Sequence, residues 1–114
     1  MNLNIKRIYE LPDKADGIRI LVDRLWPRGM TKDKAHIDAW LKDIAPSHEL
    51  RKWFHHDPKK WEGFIEKYRT ELKANKEQIH RIKEYLKKGP VTLLYAAKDE
   101  LHNEARVIKE LLEK

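Results

Sequence analysis

The stretch from Gly17 to Gly29 constrains the fold more than any other part of the chain. It opens on a short, mostly β-branched apolar run within residues 18–22, which has the length of a buried strand and stops abruptly at Asp23. Beyond it lie two arginines, a Trp-Pro step that biases Trp26 toward extended backbone, and a glycine that accepts turn conformations other residues resist. The stretch therefore predicts a strand, a charged cluster and a rigid turn, in that order.

Two other segments have the composition of strands. Residues 4–9 alternate imperfectly, whereas residues 91–97 form the clearest strand of the chain and end at the polar pair Lys98-Asp99. The loop over residues 11–17, between the first two strands, is too short for a helical crossover. These two strands are therefore expected either as an antiparallel pair or as neighbours joined by an irregular loop.

Helical spacing dominates the residues between the second and third strands. Thr31 is a good N-cap for a helix whose apolar residues, from Ile37 to Ile44, repeat at the spacing of one buried face. Capping and breaker residues predict four further boundaries, at Ser47, Asp57-Pro58, Asn75 and Gly89-Pro90. The whole pattern predicts an α/β fold: a small three-stranded, at least partly parallel sheet (about 4–9, 18–23 and 91–97), a long helical crossover and a C-terminal helix.

Length and composition limit the domain count, the cellular location and the kinds of partner that we expect. The 114 residues suit one domain, 1–114, without internal repeats or linkers. The sequence has no cysteine, no apolar run of about 20 residues that could span a bilayer, and no signal-peptide pattern at its start. We therefore expect a cytoplasmic protein without disulfides or a membrane role. The net charge of +6 favours anionic partners, although many lysines lie beside glutamates on solvated helix faces.

The carboxyl ends of the second and third strands are the expected ligand position, because parallel strands end at one edge of a sheet. Arg24, Arg28 and Lys98 are predicted to bind an anion there, with amides from the start of the last helix. The candidates for proton transfer are His102, in the first turn of that helix, and Asp23, which could orient the imidazole ring. Two further side chains, Trp26 and Asn103, are predicted to line the pocket.

These assignments have structural alternatives that the sequence leaves open. Asp23 could pair with Arg24 or Lys98, Trp26 could close the edge of the core, and His102 could be a surface residue at a helix start. No metal is predicted at His55-His56-Asp57, because adjacent residues rarely converge on one ion. The glycine-rich fingerprints of nucleotide folds are missing from the sequence, and no cofactor is predicted.

Several blocks of the sequence resemble the YeaO-like family, in the family's order and across nearly the whole chain. The blocks are Val-Asp-Arg-Leu-Trp-Pro-Arg-Gly (22–29), Trp-Leu-Lys-Asp-Ile-Ala-Pro-Ser (40–47), Leu-Arg-Lys-Trp-Phe (50–54), His-Asp-Pro (56–58) and Leu-Leu-Tyr-Ala-Ala-Lys-Asp (93–99) with His102-Asn103. The family is similar to a larger group of bacterial and archaeal domains of unknown function. The resemblance thus implies kinship rather than an activity.

The larger group has an aspartate at a strand end and Cys-His-Arg at a late helix start. By resemblance, Asp23 and His102 match the aspartate and the histidine, whereas Leu101 and Asn103 stand where the cysteine and the last arginine would be. The resemblance therefore implies no thiol chemistry for this chain. It does place the matched residues where the strand-end argument puts the crevice.

The first functional hypothesis is a small domain that binds an anionic small molecule, phosphorylated or nucleotide-like, at the strand ends. The alternative is a nucleic-acid-binding or regulatory module that uses a basic helix such as Lys73 to Lys88. A third hypothesis is a structural or partner-binding role without a pocket. The reaction, if there is one, and the oligomeric state do not follow from the sequence.

Overall fold

A parallel sheet of four strands forms the centre of the computed structural model, which describes residues 2–113. In chain order the strands are β1 (Leu3–Arg7), β2 (Ile18–Leu21), β3 (Ala39–Trp40) and β4 (Val91–Tyr95). Their order across the sheet is β1-β4-β2-β3, and every neighbouring pair is parallel. The predicted parallel α/β architecture is confirmed, but the prediction of three strands missed β3.

The expected relation between β1 and β2 was wrong. The two strands are neither antiparallel nor adjacent, because β4 lies between them and pairs with both. Residues 8–17, which include a short 3-10 helix (Lys14–Asp16), carry the chain back along the sheet without an α-helical crossover, because the strands are short. The connection ends at Gly17 (φ 65°), where a Cβ atom would lie 2.2 Å from the Pro90 carbonyl oxygen.

The helix predicted from Thr31 to Ile44 is only partly present. Thr31 does cap a helix, but this helix, α1 (Lys32–Ala35), ends at His36, which takes a left-handed conformation at φ 46°. The chain then runs along β2, where the Leu41 amide donates to the Leu21 carbonyl at 2.9 Å. Pairing with the open edge of β2 therefore makes residues 39–40 extended, although the apolar residues of 37–44 have helical spacing.

The remaining helices follow the predicted boundaries closely. They are α2 (His48–Phe54), α3 (Trp61–Ala74), α4 (Lys76–Lys88) and α5 (Glu104–Glu113). The Ser47 side chain caps α2, and Asp57 caps a short 3-10 turn (Pro58–Lys60) that leads into α3. Asn75 separates α3 from α4, as predicted. None of the helices in residues 2–113 is long and apolar enough to cross a membrane.

The sheet separates two apolar clusters of unequal size. The larger one combines Ile20, Val22, Leu93 and Tyr95 with the buried faces of α2 to α5. A smaller one, on the other face, is formed by four buried side chains: Ile8, Leu21, Ala35 and Leu94. Neighbouring residues of β2 and β4 contribute to opposite clusters, as expected for strands buried on both faces.

Candidate functional site

The carboxyl ends of β2 and β4 lie side by side, because Ile20 pairs with Leu93 and Leu21 with Leu94. Directly beyond them, an Oδ2 atom of Asp23 accepts a hydrogen bond from the Ala96 amide at 2.9 Å. Asp23 therefore links the segments that follow the two strands. Its other carboxylate oxygen, Oδ1, is buried and has no hydrogen-bond partner in the structure.

A second carboxyl group, that of Glu104 in the first turn of α5, forms a pair with Asp23. Burial raises the pKa of Glu104 well above its ordinary value, and the adjacent carboxylate of Asp23 raises it further. The Glu104 backbone amide and Arg51 act in the opposite direction but do not offset these effects. Glu104 therefore holds a proton to higher pH than a solvated glutamate does.

Tyr68 lies close enough to this carboxyl pair to be affected by its charge. Tyr68 is fully buried, and its hydroxyl donates to the Ile44 carbonyl at 2.6 Å. Burial raises the pKa of Tyr68 well above its usual range, and the nearby charges of Glu104, Glu71 and Asp23 add to this effect. Tyr68 thus stays protonated and serves as a fixed neutral donor at the centre of a charged cluster.

The side chain of Arg24 lies half-buried next to the same cluster. One terminal nitrogen, Nη2, lies 3.2 Å from the Ala45 carbonyl oxygen and 3.3 Å from that of Pro46. The Nε atom is buried without a hydrogen-bond partner. Within residues 2–113, Arg24 forms no ion pair with Asp23 or with any other carboxylate. No carboxylate of the described residues therefore lies in ion-pair contact with it.

An open cleft of about 350 Å³ lies beside the Arg24 guanidinium. The residues that line it include the polar Arg24, Asp43, Ser47, Glu71 and Asn75, the apolar Ile44, Ala45, Leu72 and Ala74, and the buried Tyr68. Glu71 accepts hydrogen bonds from the Ser47 amide at 2.8 Å and from the Ser47 hydroxyl at 2.6 Å. The carboxylate is thereby held in place at the start of α2.

His102 was predicted in the first turn of the last helix, but this was wrong: α5 begins at Glu104, and His102 and Asn103 lie before it, where they have local partners. The Nδ1 atom of His102 lies 2.8 Å from Asp99 Oδ2, and this hydrogen bond lowers the pKa of Asp99 below its ordinary value. The imidazole packs edge-on against Trp61 at 5.1 Å, and 27% of its side chain remains exposed. Asn103 is buried, and its Oδ1 atom caps α5 by accepting from the Arg106 amide at 3.1 Å. No hydrogen bond joins His102 to Asp23 in the described part of the chain.

The other predicted ligand residues are spread along the edge. The Trp26 indole donates to the Met30 carbonyl at 2.6 Å and packs against Trp40 and the smaller apolar cluster. Arg28 is exposed, and its carbonyl accepts from the Tyr9 hydroxyl at 2.7 Å. Lys98 is also exposed. Over residues 2–113 no hydrogen bond or ion pair joins Trp26, Arg28 or Lys98 to Arg24.

Three residues of the cluster were not predicted from the sequence as site residues: Tyr68, Glu71 and Glu104. Tyr68 has the spacing of a core residue, and Glu71 meets Ser47 only through tertiary packing. Glu104 carried a usable signal, since it follows His102-Asn103 at a helix start, but an acidic residue there is commonly explained by the helix dipole. Among the described residues, no three His, Asp or Glu side chains converge in a way suited to a metal ion.

The fold and this edge define a class: a small α/β domain with a parallel sheet and a charged cluster beyond its strand ends. Comparison with known proteins then gives the family. A family model described as "Inactive DUF488-N3 subclade" matches residues 2–114, so the chain belongs to this YeaO-like, uncharacterised family. The resemblance noted in the sequence is thereby confirmed.

Relatives of the chain match along almost their whole length. The uncharacterized protein YeaO of Escherichia coli K12 is 45% identical over 112 residues, which cover 98% of this chain and 97% of YeaO. The uncharacterized protein Rv3073c of Mycobacterium tuberculosis H37Rv is 36% identical over 110 residues, covering 96% of this chain and 92% of the relative. No solved structure matches the chain significantly.

Proposed function

We propose that the protein binds a small anionic molecule, phosphorylated or nucleotide-like, at the carboxyl edge of its sheet beside Arg24. The observation that carries this proposal is the half-buried Arg24 guanidinium, which donates only to backbone carbonyls and has no carboxylate partner within residues 2–113. A cation that has lost part of its hydration without gaining a counter-charge is stabilised by an incoming anion. The planar fork of arginine also matches phosphate and carboxylate oxygens.

Two exposed cations on the same edge support the proposal. Arg28 and Lys98 follow β2 and β4 and form no ion pair in the described part of the chain. Both are exposed and do not line the cleft beside Arg24, so we assign them to attracting the ligand through their electrostatic field rather than to holding it. Trp26 and Asn103 have internal hydrogen bonds and support the edge without a direct role in this proposal.

The proposed activity is binding without turnover. Asp23 and His102, the predicted proton-transfer residues, have separate partners: Asp23 interacts with Ala96 and Glu104, and His102 with Asp99. The family's description uses the word inactive, which also favours a binding role over catalysis. Nucleic-acid binding through α4 has weaker support, because Arg81 and Lys87 pair with Glu77 and Glu84 on their own helix.

A thermal-shift screen tests the proposal. The wild type would be measured with nucleotides, sugar phosphates, inorganic phosphate and short oligonucleotides at two salt concentrations. A ligand at 100 times its Kd stabilises the fold by about 2.7 kcal/mol, which corresponds to a rise of several degrees in Tm. We expect a selective shift that Arg24→Ala removes and that Arg81→Ala, a matched change on exposed α4, preserves.

Three results would overturn this proposal. The first is the lack of any shift with the small anions. The second is a shift that persists unchanged in Arg24→Ala, since the cation beside the cleft would then be irrelevant. The third is a salt-sensitive response to oligonucleotides alone that survives Arg24→Ala, which would favour the nucleic-acid alternative.

A further inference from the structure

The cleft beside Arg24 contains charges of both signs. Arg24 contributes a cation, and Glu71 and Asp43 contribute two carboxylates to the same lining. Opposite charges in one small cleft would ordinarily form an ion pair, yet none of these three residues does so within residues 2–113. A ligand that carries a positive as well as a negative charge would therefore match the cleft better than one that carries negative charge alone.

Local hydrogen bonds keep these charges apart. The Arg24 guanidinium donates to the carbonyls of Ala45 and Pro46, at 3.2 and 3.3 Å. The Glu71 carboxylate accepts from the amide and the hydroxyl of Ser47, whose own oxygen also caps α2 at Leu50. Each Glu71 oxygen accepts one hydrogen bond from Ser47 and retains further acceptor capacity. Both charges are thus fixed in position and still able to bind a counter-charge.

The neutral groups of the lining are fixed as well. The Tyr68 hydroxyl donates to Ile44, and Asn75 donates to the Asp43 carbonyl at 2.8 Å, so neither side chain supplies a compensating charge. Asp43 is exposed, so its carboxylate is screened by water and acts more weakly than Glu71. A ligand bound to Arg24 therefore meets one strong and one weak negative charge in the same cleft.

We propose that this cleft binds a small zwitterion: a molecule with a phosphate or carboxylate for Arg24 and an ammonium group for Glu71, with Asp43 in a supporting role. This inference rests on the proposed function and names the class of ligand that the same site takes. The volume of about 350 Å³ lies at the lower end of the range for small-molecule sites, roughly 300 to 1,000 Å³. It suits a molecule the size of an amino acid or an aminoalkyl phosphate better than a dinucleotide.

Three probes separate the charge requirements: phosphoethanolamine carries both charged groups, ethyl phosphate only the phosphate and ethylamine only the ammonium group. Isothermal titration calorimetry of the full chain at pH 7.5 would give the Kd of each. We expect phosphoethanolamine to bind about tenfold more tightly than ethyl phosphate, as one added charge-assisted hydrogen bond permits, and ethylamine not to bind detectably. Arg24→Ala should abolish binding of both phosphates.

Glu71→Gln removes the negative charge but keeps an oxygen that can accept from the Ser47 amide. The tenfold preference should disappear in this variant and persist in Glu66→Gln, an exposed position on the same helix. Should Glu71→Gln fail to fold, as judged by circular dichroism and Tm, Asp43→Asn provides the second test. It should reduce the preference by a smaller factor, about twofold, because Asp43 is exposed.

The outcomes distinguish the two proposals. Equal, Arg24-dependent affinities for phosphoethanolamine and ethyl phosphate would overturn the zwitterion and leave anion binding standing. Binding of ethylamine as tight as that of phosphoethanolamine, or a preference unchanged in Glu71→Gln, would also overturn it. A complete lack of phosphoethanolamine binding at millimolar concentration would count against the zwitterion in the same way, and anion binding would then depend on the thermal-shift screen alone.

Discussion

Two regions of this molecule contain partly buried charged groups, and the two differ in whether these groups are paired with opposite charges. On the face of the sheet that carries the smaller apolar cluster, Asp16 lies between Lys6, whose Nζ is 3.1 Å away, and Arg19, which also donates to the carbonyls of Ala35 and His36. We call Lys6, Asp16 and Arg19 the ion triad. At the carboxyl edge, by contrast, Arg24 has no carboxylate partner in the described chain, and Glu104 lies against another carboxyl group, that of Asp23.

The pKa values of the two regions differ in direction for this reason. Burial alone would raise the pKa of Asp16, but hydrogen bonds from the Asp13 amide, Lys6 and Arg19 outweigh it, and the pKa is lowered. At Glu104 burial and the Asp23 carboxylate act together, and the pKa is raised. The charges of the ion triad are paired with opposite charges within the chain and stabilise the fold. The charged groups at the carboxyl edge have no such partners and are available for a ligand.

The largest expected effect is that of Asp16→Asn. Removing the carboxylate leaves Lys6 and Arg19 as uncompensated charges, which should lower the free energy of unfolding by about 3 to 5 kcal/mol in urea titrations at pH 7. The lowered pKa means that this contribution is present above the ordinary aspartate pKa and is lost as the pH falls through the folded-state value. The wild type should therefore lose stability in acid more steeply than Asp16→Asn.

Glu77→Gln on exposed α4 serves as a matched control, because it removes a solvent-exposed carboxylate and should change stability by less than about 0.5 kcal/mol. Equal effects of the two substitutions would mean that the ion triad contributes no more than a surface pair. The contrast with the carboxyl edge would then be lost.

The next effect, of opposite sign, is expected for Glu104→Gln. Because the folded-state pKa is raised, the contribution of Glu104 is present below the ordinary glutamate pKa and is lost as the pH rises through the folded-state value. A glutamine carries no charge to bury and can donate to Asp23 at every pH. The variant should be more stable than the wild type at pH 8 by about 1 kcal/mol.

Thermal denaturation of Glu104→Gln and wild type between pH 4 and pH 9 measures this difference. Glu110→Gln, on the exposed side of α5, should follow the wild-type curve throughout. A wild-type curve parallel to that of Glu104→Gln would contradict a raised pKa of Glu104 in the folded protein.

The smallest expected effect on stability is that of Arg24→Ala. Its guanidinium makes two long hydrogen bonds to carbonyls and no ion pair in residues 2–113, so its loss should cost at most about 1 kcal/mol in urea unfolding. A small loss of stability in Arg24→Ala and a large loss in Asp16→Asn would together show that the ion triad stabilises the fold and that Arg24 does not. A loss as large as that of Asp16→Asn would instead place Arg24 among the structural charges.

Local signals account for the parts of the fold that could be predicted. The apolar runs of β2 and β4 and the caps at Ser47 and Asp57 depend on residues close together in sequence, and they occur where expected. The position of β3 could not be predicted in this way. Residues 37–44 have helical spacing, and only the open edge of β2 makes an extended conformation more favourable there.

The candidate site, too, could be predicted only in part. Asp23 and the start of α5 were expected at one edge, since parallel strands end together, and the structure brings Asp23 to Ala96 and Glu104 there. Arg28 and Lys98 were expected beside Arg24, but in residues 2–113 no hydrogen bond or ion pair joins either of them to it. A short spacing along a loop does not determine where a long side chain lies.

The sequence by itself determined the parallel α/β class, most helix boundaries and the family, because these depend on periodicity, capping and blocks of neighbouring residues. Tertiary structure alone decided that β4 lies between β1 and β2, that Asp16 joins Lys6 to Arg19, and that Glu104 meets Asp23. Such contacts join residues brought together only when the sheet forms. The energy of a buried charge depends on those distant neighbours, and the sequence does not show them in advance.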